Sequence, residues 1–445
     1  MTGRRLSNAI IIGVVGFLGF LLAYTLIKQA PSYNIVTLVF LLCVTFASLR
    51  LNQVHKAKFV VFLVSIGISL LAAEVILTLW PLQSARQAPG LAALAGEEFP
   101  IDTRSVIEII EDFRNDGVDA YPAITARLVS IGNFTLSSRE FLPLAGIANK
   151  TTVLCNEVGT TVIYESDEHG FNNPQGIWGR DRLDFAAVGD SYIHGLCVDS
   201  DRTAVSLIRN VHENTLNLGL IGAGPLMELG IVKEYLVYLK PQVVLWFYFE
   251  GNDLDDLTFE LSVAQLRKYS ETDYRQNLMV NQSQIDRALA HHITLKSVAG
   301  TFGKLSAFDI LQLDELRNRI FRVAGVCPTD TAEKRLSDFE RILTDAKVQV
   351  QSWGGELFFV YLPTWERYSG YTGDCGAKRF MAAAQLHDQV VAVAASAGLP
   401  VIDIKDAFDA HPDPLALWPF RKNGHYNEDG NRLVAETVLS AAAPD

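Results

Sequence analysis

The sequence predicts an α/β protein in which a parallel sheet is covered by helices on both faces, preceded by hydrophobic N-terminal helices. Three observations lead there. After residue 181, apolar runs of strand length alternate with amphipathic stretches of helical length. Those runs are unbroken rather than alternating, as expected of strands buried on both faces. Before residue 81, three long apolar stretches carry almost no charge. At 445 residues the chain also exceeds one compact domain.

The N-terminal part, residues 1–81, reads as a membrane anchor with three transmembrane helices, 8–27, 34–50 and 59–80. A span needs about 20 apolar residues; the second stretch is the shortest. A cleaved leader has a single apolar core, so the second and third stretches favour an uncleaved anchor. Arg4 and Arg5 precede the first stretch, Lys28 follows it, and Arg50, Lys56 and Lys58 lie between the second and third. Positive charge marks the inner side. The N-terminus is therefore expected inside and the large C-terminal part outside, which is an inner-membrane, multi-pass protein with a periplasmic domain. Glu74 lies within the third stretch, near its outer end. Snorkelling or an interhelical hydrogen bond accounts for it.

Residues 82–180 read as a linker and an N-terminal preface, with helical spacing over 104–115 and loop and short-strand material over 120–180. Residues 181–445 then alternate regularly. Apolar runs at 183–188, 215–218, 241–249, 356–362 and 400–404 read as strands, and 203–211, 226–239, 333–351, 377–397 and 428–442 as helices. A less regular, helical-looking insert spans 254–335.

Residues 1–90 hold seven Lys and Arg and the single acidic residue Glu74. The other 355 residues therefore hold 31 basic and 49 acidic side chains, a net charge of −18. Such a surface repels nucleic acid and anionic lipid headgroups. Four of five cysteines, Cys155, Cys197, Cys327 and Cys375, lie in the outer part, and Cys43 lies in a predicted span. Two disulfides are permitted there. Order along the chain favours Cys155–Cys197 and Cys327–Cys375, with free buried thiols as the alternative.

Chemistry concentrates in four loops at predicted strand ends or helix starts. These are Gly189-Asp190-Ser191, the turn from Asn217 to Gly224, Gly251-Asn252-Asp253 and Gly424-His425-Tyr426-Asn427. Open α/β sheets bind ligands at the carboxyl ends of their strands. A serine between strand end and helix start has an exposed hydroxyl and a backbone N–H aimed at a developing oxyanion. Gly222 offers a bare backbone N–H and Asn252 an amide donor. His425 is placed to take a proton from Ser191 and return it to a leaving group.

Together these residues resemble the SGNH (GDSL-like) hydrolases, over about residues 181–440. Gly189-Asp190-Ser191, Gly222, Gly251-Asn252-Asp253 and His425 are similar to the family's blocks I, II, III and V, in the same order. The resemblance implies a flavodoxin-like three-layer α/β/α sandwich and ester hydrolysis or acyl transfer. It implies Ser191 as nucleophile, His425 as base, Gly222 and Asn252 as oxyanion donors, and no metal or other cofactor. The family's aspartate before the histidine is missing: Lys422 and Asn423 occupy its places. Asp413, Asn423 or a backbone carbonyl is left to orient the imidazole.

His194 reads as packing, and Asp253, Asp255 and Asp256 as a solvated loop rather than a cation site. The run Ser166 to Pro174 suits either a structural turn or a wall of the cleft. The resulting expectation is an anchored esterase or O-acyltransferase acting on carbohydrate or other small acyl esters. It would touch the lipid bilayer through its N-terminal helices and bind no nucleic acid; protein partners are not legible. A non-catalytic scaffold that kept the fold is the alternative. A transport role for the three helices is disfavoured, since one ionisable residue makes a poor permeation path.

Overall fold

The computed structural model describes residues 8–16, 18–19, 22, 32–79, 102, 104–132, 134–136, 139–293, 316, 335–373 and 375–442. The chain divides into two compact units: Met1–Pro81 with Leu305–Ile320, and Leu82–Lys304 with Phe321–Asp445.

In the first unit one described helix, Gln53–Leu79, is long and apolar enough to cross a membrane. Its 27 residues rise about 40 Å, against a hydrocarbon core of about 30 Å. It starts before the predicted 59–80, because Lys56 and Lys58 are taken into its first turns rather than left in a loop. The second predicted span, 34–50, forms the sixteen-residue helix Ser32–Ala47 followed by a 3₁₀ turn, Ser48–Arg50. Of the predicted span 8–27, residues 8–16, 18–19 and 22 are helical and the rest lie outside the described residues. The Glu74 carboxylate is buried and accepts a hydrogen bond from the Leu316 N–H at 2.7 Å.

The second unit opens with the helix Val106–Asn115, capped by Ser105 and Glu108 in a reciprocal capping box. Strands β1 (Ala120–Pro122), β2 (Phe134–Leu136), β3 (Arg139–Phe141), β4 (Thr151–Cys155) and β5 (Val162–Glu165) follow. They form a small β1-β4-β5 sheet and a β2-β3 hairpin. The main sheet has β6 (Phe185–Gly189), β7 (Thr215–Gly219), β8 (Val243–Phe249), β9 (Glu356–Leu362) and β10 (Val401–Asp403) in the order β10-β9-β8-β6-β7. Every neighbouring pair is parallel. Renumbered within the sheet this is 2-1-3-4-5, a doubly wound order whose direction of winding reverses between β6 and β8.

Successive strand residues point to opposite faces, and both faces are buried. Val244, Trp246 and Tyr248 pack on one side with helices 225–239 and Leu336–Gln351. Leu245, Phe247 and Phe249 pack on the other with Ala204–Arg209 and Glu428–Ala441. The predicted helix 377–397 is instead two, Cys375–Ala384 and His387–Ser396, and a further helix, Ile404–Ala410, follows β10.

The described part of the insert extends the first face. Leu266, Tyr269, Leu278, Ile285 and Leu289 are fully buried in that core. Helix 225–239 holds the insert with two buried charges on a π-helical turn, Val232–Leu236. Lys233 Nζ donates to the carbonyls of Tyr269 (2.7 Å) and Glu271 (2.8 Å), and Glu234 accepts from Tyr269 Oη (2.8 Å) and the Leu278 N–H (2.9 Å).

Cys155 and Cys197 are disulfide-bonded. Cys375 is also in a disulfide, while Cys327 lies outside the described residues. Cys43 is a free thiol.

Candidate active site

Strands β7, β6 and β8 are neighbours, so the loops leaving their carboxyl ends converge where the winding reverses. β6 ends at Gly189, and Asp190 caps the short helix Ser191–His194 by accepting the Tyr192 N–H at 2.9 Å. Ser191 thereby stands on the first residue of the helix, at the carboxyl end of a central strand. Gly189 must be small, because a Cβ there would lie 2.8 Å from Ile193. The turn after β7 carries Gly222 at φ +70°, a left-handed conformation suited to glycine. The turn after β8 carries Asn252, whose Nδ2 donates to Asp256 Oδ2 at 2.6 Å. An amide has two such hydrogens, so one remains for a ligand.

His425 arrives from the far end of the chain. Its loop is fastened to the turn after β9: Tyr426 Oη donates to the Pro363 carbonyl, Trp365 Nε1 to the Arg421 carbonyl (3.2 Å), and Asn423 Nδ2 to Glu366 Oε1 (2.8 Å). From the serine side, Tyr192 Oη donates to the Gly424 carbonyl at 3.2 Å, with its ring stacked on Phe249 and 4.8 Å from the imidazole. These contacts set His425 Nε2 2.9 Å from Ser191 Oγ.

The group on the other ring nitrogen is Glu157, from the turn between β4 and β5. Its carboxylate oxygens lie 3.1 and 3.2 Å from His425 Nδ1 and accept the His425 backbone N–H at 2.8 Å. Burial pushes this carboxyl up, but the neighbouring His425 charge and these hydrogen bonds outweigh it and hold it below the ordinary glutamate range. A carboxylate at Nδ1 keeps the ring proton there and leaves Nε2 to accept the Ser191 hydroxyl proton.

The structure thus brings Ser191 and His425 together and corrects the expected orienting group. Asp413 is turned to solvent in an ion pair with Arg421, and Asn423 is committed to Glu366. Glu157 escaped notice because it lies 268 residues from His425 in the chain, outside every motif. Two signals pointed to it. Cys155, two residues before it, is bonded to Cys197, six residues past Ser191, and Gly424 leaves room for its side chain. A Cβ on Gly424 would sit 2.8 Å from Glu157 Oε2.

Other expectations resolve structurally. His194 is buried, 3.1 Å from Tyr164 Oη, and burial pushes its pKa down to about 4, so it is a neutral packing group. The Ser166–Pro174 run is a structural turn around buried Asp167, which accepts from the His169 and Phe171 N–H groups, Asn173 Nδ2 and Trp178 Nε1. Asp253 is buried rather than solvated, and accepts the Phe249 N–H at 2.8 Å. Burial and its carboxylate neighbours Glu228 and Asp190 push it well up. Among the described residues no three His, Cys, Asp or Glu side chains are grouped to hold a metal.

No family model and no curated protein matches the chain. It is similar to solved structures that include an extracellular lipase from Streptomyces rimosus (16% identity, 58% of this chain and 100% of that one, TM-score 0.32). Others are an acetylxylan esterase from Geobacillus stearothermophilus (13%, 58% and 92%, 0.31) and a protein described as lipolytic and of the G-D-S-L family from Desulfitobacterium hafniense DCB-2 (12%, 58% and 98%, 0.33).

Proposed function

We propose that the chain is a serine hydrolase or acyltransferase acting on ester bonds, with Ser191 as nucleophile, His425 as general base and Glu157 as its orienting carboxylate. One observation carries the reading: a serine hydroxyl at a strand end, 2.9 Å from an imidazole nitrogen whose other nitrogen faces a carboxylate. Ser191 Oγ attacks an acyl carbonyl while its proton passes to His425 Nε2. Glu157 stabilises the imidazolium that forms. The Gly222 and Ser191 N–H groups and the free Asn252 amide hydrogen receive the oxyanion. On collapse His425 returns the proton to the leaving alkoxide, and an acyl-enzyme remains for water or a second hydroxyl to relieve. Glu157 also removes the main support for an inactive scaffold, which was the missing carboxylate.

The helix Gln53–Leu79 supports a membrane anchor, and the disulfides support an outward, oxidising location for the site-bearing unit. The chemistry of the surface supports a neutral, hydroxyl-rich substrate such as a carbohydrate ester. An open groove of about 310 Å³ next to the Glu157 turn is lined by Val158, Thr160, Asp199, Asn427, Glu428 and Asp429, among others; Glu428 pairs with Arg202 and Asp429 with Arg432, which leaves little net charge for a substrate to meet.

Hydrolysis of p-nitrophenyl acetate by the full-length chain in detergent, with and without a sugar acceptor, tests the reading. Turnover that vanishes in Ser191→Ala is expected, and acylated sugar among the products would mark transfer. No turnover by folded protein on acetyl, butyryl or aryl esters counts against the proposal.

A further inference from the structure

We infer that the Cys155–Cys197 disulfide is a positioning element of the active site, holding Glu157 on His425 so that turnover depends on its being closed. This rests on the triad reading above. Glu157 comes from neither the main sheet nor its helices. It stands on the 156–161 turn of the β4-β5 hairpin, two residues after Cys155. Cys197 ends the segment that begins at Ser191. The disulfide therefore joins the orienting carboxylate to the nucleophile by a short covalent path, with two residues on one side and six on the other.

Apart from Glu157's own bonds to His425, the hydrogen bonds of the turn lead elsewhere. Asn156 Nδ2 donates to the Asp102 carbonyl (2.8 Å), Asn156 Oδ1 accepts the Gly159 N–H (2.9 Å), and the Asp102 N–H donates to the Gly159 carbonyl (2.8 Å). These shape the turn and fasten it to the segment before the first helix of the unit, not to the sheet. Towards the nucleophile, the hairpin has a small apolar patch, in which Leu154, Val162 and Tyr164 meet Leu196 and Ile221, and the Tyr164 Oη–His194 Nε2 contact at 3.1 Å. Such a patch keeps the hairpin docked but does not fix its tip to the few tenths of an ångström that a 3.1 Å Nδ1 contact demands. The hairpin also carries a register shift between Val153 and Cys155, at the residue that is cross-linked. The cross-link thus sits where the strand's own pairing is irregular, directly below Glu157.

A purely stabilising bond would cost the same in any background, whereas a positioning bond acts only through Glu157. The test is a double-mutant cycle on the full-length chain in detergent, with C155A/C197A made in the wild type and in Glu157→Gln. Cys197 is buried, so substitution is cleaner than reduction, which would also open the Cys375 disulfide. Thermal unfolding is followed beside kcat on p-nitrophenyl acetate. Opening the bond is expected to lower kcat about tenfold or more in the wild type, since misplacing a reacting group by about 1 Å can cost about 10²-fold, and less than twofold in Glu157→Gln. Equal losses in both backgrounds, or no loss in the wild type, overturn the inference while leaving the triad reading intact. A second readout needs no turnover. In the ¹⁵N-histidine-labelled chain the downfield Nδ1–H resonance of His425 should be present with the disulfide closed and lost in C155A/C197A. An unchanged resonance overturns the inference even if the chain hydrolyses no ester, an outcome that would sink the functional reading instead.

Discussion

Replacing Gly424 by alanine should disable the site without touching any reacting group. Gly424 is outside the left-handed region, so alanine takes its backbone conformation without strain. The added Cβ, however, lies 2.8 Å from Glu157 Oε2, where ordinary contact begins near 3.4 Å. The carboxylate must retreat by about 0.6 Å, which stretches its 3.1–3.2 Å contacts with Nδ1 to roughly 3.7 Å, beyond hydrogen bonding. A hydrogen bond to a charged group contributes about 1.5–3 kcal/mol. At about 1.4 kcal/mol per decade of rate, kcat should fall roughly 10- to 150-fold. The assay is kcat on p-nitrophenyl acetate, with thermal unfolding to show that the fold is intact. KM should move little. Because both changes act on one contact, Gly424→Ala should add almost nothing to the loss in Glu157→Gln. A Gly424→Ala enzyme within threefold of wild type would refute the assignment of Glu157.

Three further outcomes follow from the geometry. Glu157→Gln, which leaves a neutral amide at Nδ1, should lower kcat by roughly 10²- to 10⁴-fold, as loss of the correct histidine tautomer does elsewhere; stopped-flow or steady-state ester hydrolysis reads it directly. Asn252→Ala removes one oxyanion donor and should lower kcat about 10²- to 10³-fold with KM nearly unchanged; a matching loss in KM would mean that Asn252 binds substrate rather than the transition state. Stability should fall as pH rises from about 5 to 8. Burial pushes Glu260 up to about 8 and Asp256 up to about 7, so across this interval the folded chain keeps protons that the unfolded chain has released. Unfolding free energy then falls by up to about 1.4 kcal/mol per pH unit for each such proton. Melting temperatures of wild type and Glu260→Gln across that range check it, since the variant should show the shallower decline. Glu157 acts with the opposite sign: its depressed carboxyl lends stability above the ordinary glutamate range, and that is lost as the pH falls through it.

The parallel sheet was legible because burial on both faces writes itself as unbroken apolar runs, and all five runs became strands within two residues of their expected limits. The meeting of Ser191 and His425, 2.9 Å apart, was legible because each lies next to a strand end or a helix start, where short-range sequence carries the geometry. Glu157 was not, because its place depends on how a hairpin docks on another part of the fold, and that docking is written in scattered contacts such as Tyr164–His194. Asp413 misled for the same reason: nearness in sequence to His425 says nothing of direction, and Arg421 was a stronger partner in reach. The break at Gln385–Leu386 was hidden inside a continuous helical pattern, since neither residue is a helix breaker. The burial of Asp253 was hidden too, because a carboxylate that caps a strand end by accepting the Phe249 N–H looks, in sequence, like any acidic loop residue.

The most direct test of the central claim is labelling of the full-length chain by a fluorophosphonate, with the modified residue located by mass spectrometry and with Ser191→Ala and His425→Ala alongside. An activated Ser191 predicts a single phosphonylated residue, Ser191, with labelling abolished in Ser191→Ala and strongly slowed in His425→Ala. Folded protein that takes up no label, or takes it up equally in the His425→Ala variant, would contradict the account.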